Sequence, residues 1–254
     1  GRFSVLTPVG LLPGALMGWD LSGLLSGARE GRDQCLRADF AQNPAALLAT
    51  THHLLDTQAG CRVQVLFPYS HRLRLLDDWN VQLVAESLGK RTADGRGVGP
   101  TPHKAIGATD QHSQVQLFAQ GPADKVYTFL RVEKHTDDVA IPRAPAGLAG
   151  LEYLEGKSFG QLLDAECSAT YLALVDAGRP CCMLTFPDVD ARSVGAWIMW
   201  QMIATAYGGL LYGVDAFDQP GVEAGKNATY ALMGRKGYEK EAERLLKKGL
   251  VFPG

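Results

Sequence analysis

Cysteine is sparse in this 254-residue chain, and what there is forms no pattern. The five residues, Cys35, Cys61, Cys167, Cys181 and Cys182, are odd in number, scattered and without metal-ligand spacing. That excludes a disulfide framework or a zinc ribbon and favours reduced thiols in a cytoplasmic protein. No pair among the six histidines has zinc spacing either. An excess of charge of one sign is also lacking. Twenty-five Lys and Arg stand against 27 Asp and Glu, so there is no basic footprint for nucleic acid or an anionic membrane. The first residues show no basic region ahead of an apolar run, the pattern of a secretory leader. Internal repeats and low-complexity segments are missing. The uncharged stretch Ser193 to Val214 has membrane-spanning length, but Gln201, Gly208 and Gly209 interrupt it and Asp190 offers an N-cap. It predicts a fully buried helix rather than a membrane span.

What is present is ordinary globular material: 46% hydrophobic and 20% charged residues, in a chain long enough for one large domain. Asn43-Pro44 marks a helix start and Gly60 its end. Cys61 to Pro68 then reads as a strand, followed by a helix from about His71 to Leu88 closed by Gly89. Arg91 to Pro102, with its glycines and prolines, reads as a flexible loop. Asp124 to Glu133 alternates as a second strand. Ser158 and Gln161 form a capping box for a helix ending at Gly178. Pro180 to Pro187 is a continuous apolar run, as in a central parallel strand. The uncharged helix follows, then a helix bearing Lys226 and an amphipathic tail helix from about Tyr238 to Lys248. Strands separated by helices predict an α/β fold with a parallel sheet and helices on both faces. Such sheets bind ligands beyond the carboxyl ends of their strands, where the loops carrying His112 and preceding Lys226 are expected to converge.

Candidate chemistry is confined to a few side chains. Gln82 and Glu86 are four apart and share a helix face with Leu75 and Trp79. Glu86 falls in the last turn, where the helix dipole disfavours a carboxylate, a setting for a general base. His112, in Gly107 to Gln120, is placed in the opening turn of a short helix and suits proton transfer. Lys226 lies one to two turns into a helix beginning beside Pro220, three residues after Glu223, so an exposed ion pair is its ordinary alternative. Arg2 precedes an apolar run and can project from a strand end. His52, His53, His71, His103 and His135 read as structural or exposed.

Together these segments resemble the glucose-6-phosphate isomerase family. The resemblance rests on Gly1-Arg2-Phe3-Ser4 with Thr7-Pro8-Val9-Gly10, Glu86-Ser87-x-Gly89-Lys90, Gly107 to Gln114, and Gly208 to Lys226. The motifs run in the family's order, and Phe217-Asp218-Gln219-Pro220-Gly221-Val222-Glu223-x-x-Lys226 is similar to its C-terminal signature. The resemblance implies flavodoxin-like sugar-isomerase domains and interconversion of glucose 6-phosphate and fructose 6-phosphate through a cis-enediol, with no metal or organic cofactor. Glu86 then matches the base that moves a proton between C2 and C1. Lys226 and His112 match the groups that open the ring, Arg2 the guanidinium beside the enediolate, and Gln82 and Gln219 substrate-contacting amides. It further implies a homodimer in which His112 reaches the neighbouring subunit's site.

On the same basis, residues 1–20 are expected to close a small sugar-isomerase domain and cross over, and 21–254 to form the large one. The family's phosphate-gripping loops lie upstream of the Gly-Arg motif. The chain is therefore expected to be a fragment with little activity alone. A non-catalytic sugar-phosphate-binding module is the alternative. It would not need Glu86, His112 and Lys226 together.

Overall fold

A computed structural model describes residues 1–145 and 149–248. The chain divides into two compact units, residues 1–216 and 217–254.

The first unit opens with α1 (Pro8–Leu16) and α2 (Leu21–Cys35), the latter capped by the Asp20 carboxylate. α3 (Pro44–Ala59) starts where its sequence says it should: the Asn43 side chain accepts from the Ala46 amide, Pro44 takes the first turn, and Gly60 closes it at φ 73°. β1 (Val63–Pro68) leads through a 3-10 turn into α4 (Arg74–Leu88). β2 (Lys90–Arg91) and β3 (Gly97–Val98) pair antiparallel, and β4 (Thr101–Lys104) follows. The stretch read as a flexible loop is therefore a hairpin and the start of a strand. Its strands, two to four residues long, are too short to show a period of two.

Next come α5 (Val115–Gln120), β5 (Lys125–Lys134), α6 (Phe159–Asp176), β6 (Cys181–Asp188) and α7 (Ala191–Tyr212). Both bonds of the predicted capping box form at Ser158 and Gln161. The four long strands make one parallel sheet in the order β4-β1-β5-β6.

Alternation along the strands separates two cores. Val65, Phe67, Tyr69, Tyr127 and Phe129 face one side with Phe118 of α5 and Cys167 and Leu174 of α6. Leu66, Leu130 and Val132 face the other with Leu83 of α4 and Trp197, Ile198 and Met202 of α7. Helices thus cover both faces, as the sequence predicted.

α2 lies on the outer side of α7, and glycine sets their separation. A Cβ at Gly27 would stand 1.8 Å from the Arg192 carbonyl oxygen, and one at Gly195 would stand 2.0 Å from that of Leu24. α7 is not fully buried. Leu210 and Leu211 are exposed at its end, because apolar composition alone does not separate core from outward-facing positions. Among the described residues no helix is long and apolar enough to cross a membrane.

In the second unit, Pro220–Val222 forms a 3-10 turn ahead of α8 (Glu223–Leu232), and α9 (Glu239–Leu246) packs against α8.

Candidate active site

β1 and β4 are parallel, with Val63 beside Thr101, so α4 must run back across the sheet between them. Its first turn therefore sits at the carboxyl end, where Asp78 pairs with Lys104 at the end of β4. Its last turn arrives at the amino end, close to Gly99 just ahead of β4. α7 ends there too: Tyr212 packs with Val84 and Leu88 of α4.

Three expected site residues meet at this amino end. Gln82 Nε2 lies 3.3 Å from Glu86 Oε1, one helical turn apart. Arg2 Nε lies 3.3 Å from the other carboxylate oxygen, Oε2. Arg2 is only 8% exposed. A guanidinium out of water needs several acceptors. Arg2 also donates through Nη1 to Ser87 Oγ at 2.9 Å and to the Ala216 carbonyl at 3.0 Å. Glu86 keeps about a third of its side chain open (32%), so the pair has one buried and one accessible member. Ser87, fully buried behind Glu86, stood in the Glu86-Ser87-x-Gly89-Lys90 motif without a role, since a serine in a helix carries no signal of a distant partner.

His112 is elsewhere. It follows β4 in a loop whose Gly107 amide donates to the Pro68 carbonyl at the end of β1, at the carboxyl end of the sheet. Asp78, at that end, is eight residues from Glu86, about 12 Å along the helix. His112 and Glu86 of one chain thus lie at opposite ends of the sheet. The His112 loop lies beyond the carboxyl ends of the strands, where it was expected. Glu86 and the end of α7 lie at the amino end instead, because a helix following a parallel strand returns to the strand's beginning. His112 also lies before the helix rather than in its opening turn: it closes the 3-10 turn Thr109–Gln111, and α5 begins at Val115. The ring is exposed and has no hydrogen-bond partner among the described residues.

Gln219 and Lys226 belong to the second unit. Gln219 is exposed just before the 3-10 turn, and Lys226 Nζ is 2.9 Å from Glu223 Oε1, the i,i+3 pair its spacing allowed.

Other reactive groups are quiet. All five cysteines are free, and burial pushes the Cys35 thiol up to about 11 and those of Cys167 and Cys181 to about 12. His52, near the Thr128 hydroxyl at 3.4 Å, is kept neutral by burial, its ring lowered to about 4. Among the described residues no three His, Cys, Asp or Glu side chains cluster as metal ligands. One unforeseen group is Asp77 in the first turn of α4, 3% exposed. Burial and the neighbouring Asp78 push its carboxyl up to about 8.

The sequence model of the family described as phosphoglucose isomerase matches residues 1–242. The chain belongs to the phosphoglucose isomerase family. It is 48% identical over 238 residues to glucose-6-phosphate isomerase of Rubrobacter xylanophilus, covering 94% of this chain and 54% of that protein. It is 46% identical over 251 residues to the enzyme of Carboxydothermus hydrogenoformans. The structure of a hypothetical protein from Thermus thermophilus superposes with TM-score 0.86 at 44% identity, over 91% of this chain and 55% of that one. A glucose-6-phosphate isomerase from Chlamydia trachomatis superposes at TM-score 0.79 and 21% identity, a likeness of fold. This member of the phosphoglucose isomerase family spans about half the length of the curated relatives it matches.

Proposed function

We propose that this chain is part of a cytoplasmic aldose–ketose isomerase that interconverts glucose 6-phosphate and fructose 6-phosphate through a cis-enediol. The buried Arg2 guanidinium against the half-open Glu86 carboxylate is the observation that carries this reading. Proton transfer between adjacent carbons needs a carboxylate that reaches both, and a fixed cation where the enediolate oxygen gains charge. Glu86 is the base moving the proton between C2 and C1. Arg2, already held by Ser87 and Ala216, needs no reorganisation to meet that charge. Gln82 steadies Glu86 and contacts substrate through its amide.

Gln219 and Lys226 follow Ala216 by three and ten residues, and Ala216 is itself bonded to Arg2. Lys226 and His112 open and close the ring, and Gln219 contacts substrate. Because His112 stands at the opposite end of the sheet from Glu86, it serves the site of a second copy in a homodimer. Residues 1–20 close a small sugar-isomerase domain and 21–254 form a large, flavodoxin-like one. The phosphate grip comes from the part of the enzyme preceding the Gly-Arg motif.

Glu86→Gln in the full-length enzyme tests the reading. Isomerisation is expected to fall by roughly 10³-fold or more with affinity for a sugar-phosphate analogue retained. Turnover within tenfold of the parent, measured in a coupled assay, refutes it.

A further inference from the structure

Beside His112, Asp110 and Gln111, neither of them among the residues expected to act in the reaction, each make several side-chain hydrogen bonds. Asp110 braces the loop internally: its Oδ2 accepts the Ile106 amide at 2.8 Å, its Oδ1 accepts the Ser113 hydroxyl at 2.7 Å, and its carbonyl accepts the Gln114 amide at 2.9 Å. Gln111 ties the braced loop outward. Its Nε2 lies 2.7 Å from Tyr69 Oη at the end of β1, and 2.6 Å from Thr170 Oγ1 and 3.2 Å from the Glu166 carbonyl, both on α6. The amide has two protons for these three oxygens, so its orientation is fixed from two sides.

The anchor points are themselves rigid. Tyr69 is 1% exposed within the aromatic core, and burial keeps its hydroxyl neutral, pushed up to about 12. Gly107 lets that ring press against the loop, since a Cβ there would stand 2.5 Å from it. The loop is therefore one stiff piece, bolted through Gln111 to sheet and helix, with the imidazole of the next residue left exposed at its tip.

We propose that Gln111 is a positioning residue for the reaction, setting the place and direction of His112 through its bonds to Tyr69 and Thr170. The inference rests on the reading of His112 as a proton-transfer group. A residue that must act across a distance on a neighbouring site gains most from such an anchor. A small rotation at the loop base becomes a larger displacement at the tip, and about 1 Å of misplacement can cost on the order of 10²-fold in rate.

A double-mutant cycle in the full-length enzyme tests this, using Gln111→Leu, His112→Ala and the pair. Gln111→Leu is expected to lower kcat roughly 10- to 100-fold while KM for fructose 6-phosphate moves less than about threefold. In the His112→Ala background the same change is expected to have no further effect, because its only route to the chemistry has been removed. Additive losses, or an unchanged kcat in Gln111→Leu, overturn the proposal while leaving His112 in place. An unchanged kcat in His112→Ala overturns the His112 reading itself, and the positioning role with it. Should Gln111→Leu fold poorly by circular dichroism, Thr170→Val takes its place in the same cycle. It is expected to lower kcat about 2- to 5-fold, again only when His112 is present.

Discussion

The two ends of the sheet handle their reactive side chains in opposite ways. At the amino end, Arg2 from the start of the chain meets Glu86 of α4, which Gln82 one turn earlier also contacts, and the cation is buried while the carboxylate stays half-open. At the carboxyl end, His112 touches none of them and stands exposed on a loop whose rigidity comes from its neighbours, Asp110 and Gln111. The first is a cluster held together by its own bonds. The second is a single ring open to solvent. A parallel sheet with returning helices separates the end of α4 from the end of β4 by the length of the strands, so no loop movement of ordinary size unites them.

The amino end is the more fragile. Arg2→Met in the full-length enzyme leaves Glu86, Ser87 and the Ala216 carbonyl without their shared cation. It is expected to lower kcat by on the order of 10²–10³-fold. Arg2→Lys is expected to recover little, since an ammonium lacks the planar fork that reaches three acceptors. Recovery to within tenfold by Lys, in steady-state assays, would show that the geometry of Arg2 does not matter.

The separation of the ends gives a sharper test. Glu86→Gln and His112→Ala homodimers are each expected to be nearly inactive. When the two variants are unfolded and refolded together, half the dimers are mixed, and each has one intact site. Activity should return to about a quarter of the parent value, as two-fold symmetry requires. No recovery would place His112 and Glu86 of the same chain in one site.

The smallest effect concerns stability at the carboxyl end. Asp77 holds its proton up to about pH 8 in the folded chain, against an ordinary carboxyl value of 3.8. Its contribution to stability is therefore full below about pH 4 and is lost as the pH rises through about 8. Asp77→Asn stays neutral throughout. The loss of unfolding free energy between pH 5 and pH 8 is expected to shrink by on the order of 2 kcal/mol in the variant, measured by denaturant titration. An unchanged slope would mean that Asp77 is ionised when folded.

Local chemistry was well written in the sequence. The Asn43 and Ser158 caps, the Gly60 stop and the strands at β1, β5 and β6 are where their residue types put them. Thr101-Pro102-His103-Lys104, three polar residues and a proline, hid β4, which lies at the sheet's edge and needs no apolar pattern. Gln82 and Glu86 were legible as neighbours through helical spacing. The Arg2 contact, 84 residues away, was visible only through family resemblance. The end of the sheet to which each residue is delivered follows from strand order, which no local pattern encodes. For the same reason the anchor at Gln111 was hidden: glutamine is common in loops, and its partners lie 42 to 59 positions away.

The seam between α2 and α7 bears on anyone who wishes to re-engineer this scaffold. Gly27 and Gly195 bring a side-chain position within about 2 Å of a facing carbonyl oxygen, and Gly31 within 2.6 Å of the Ala196 oxygen. Main chain cannot swing aside as a side chain can. In a saturation library these positions, which carry no functional group at all, should return glycine almost alone, while many decorated surface positions drift freely.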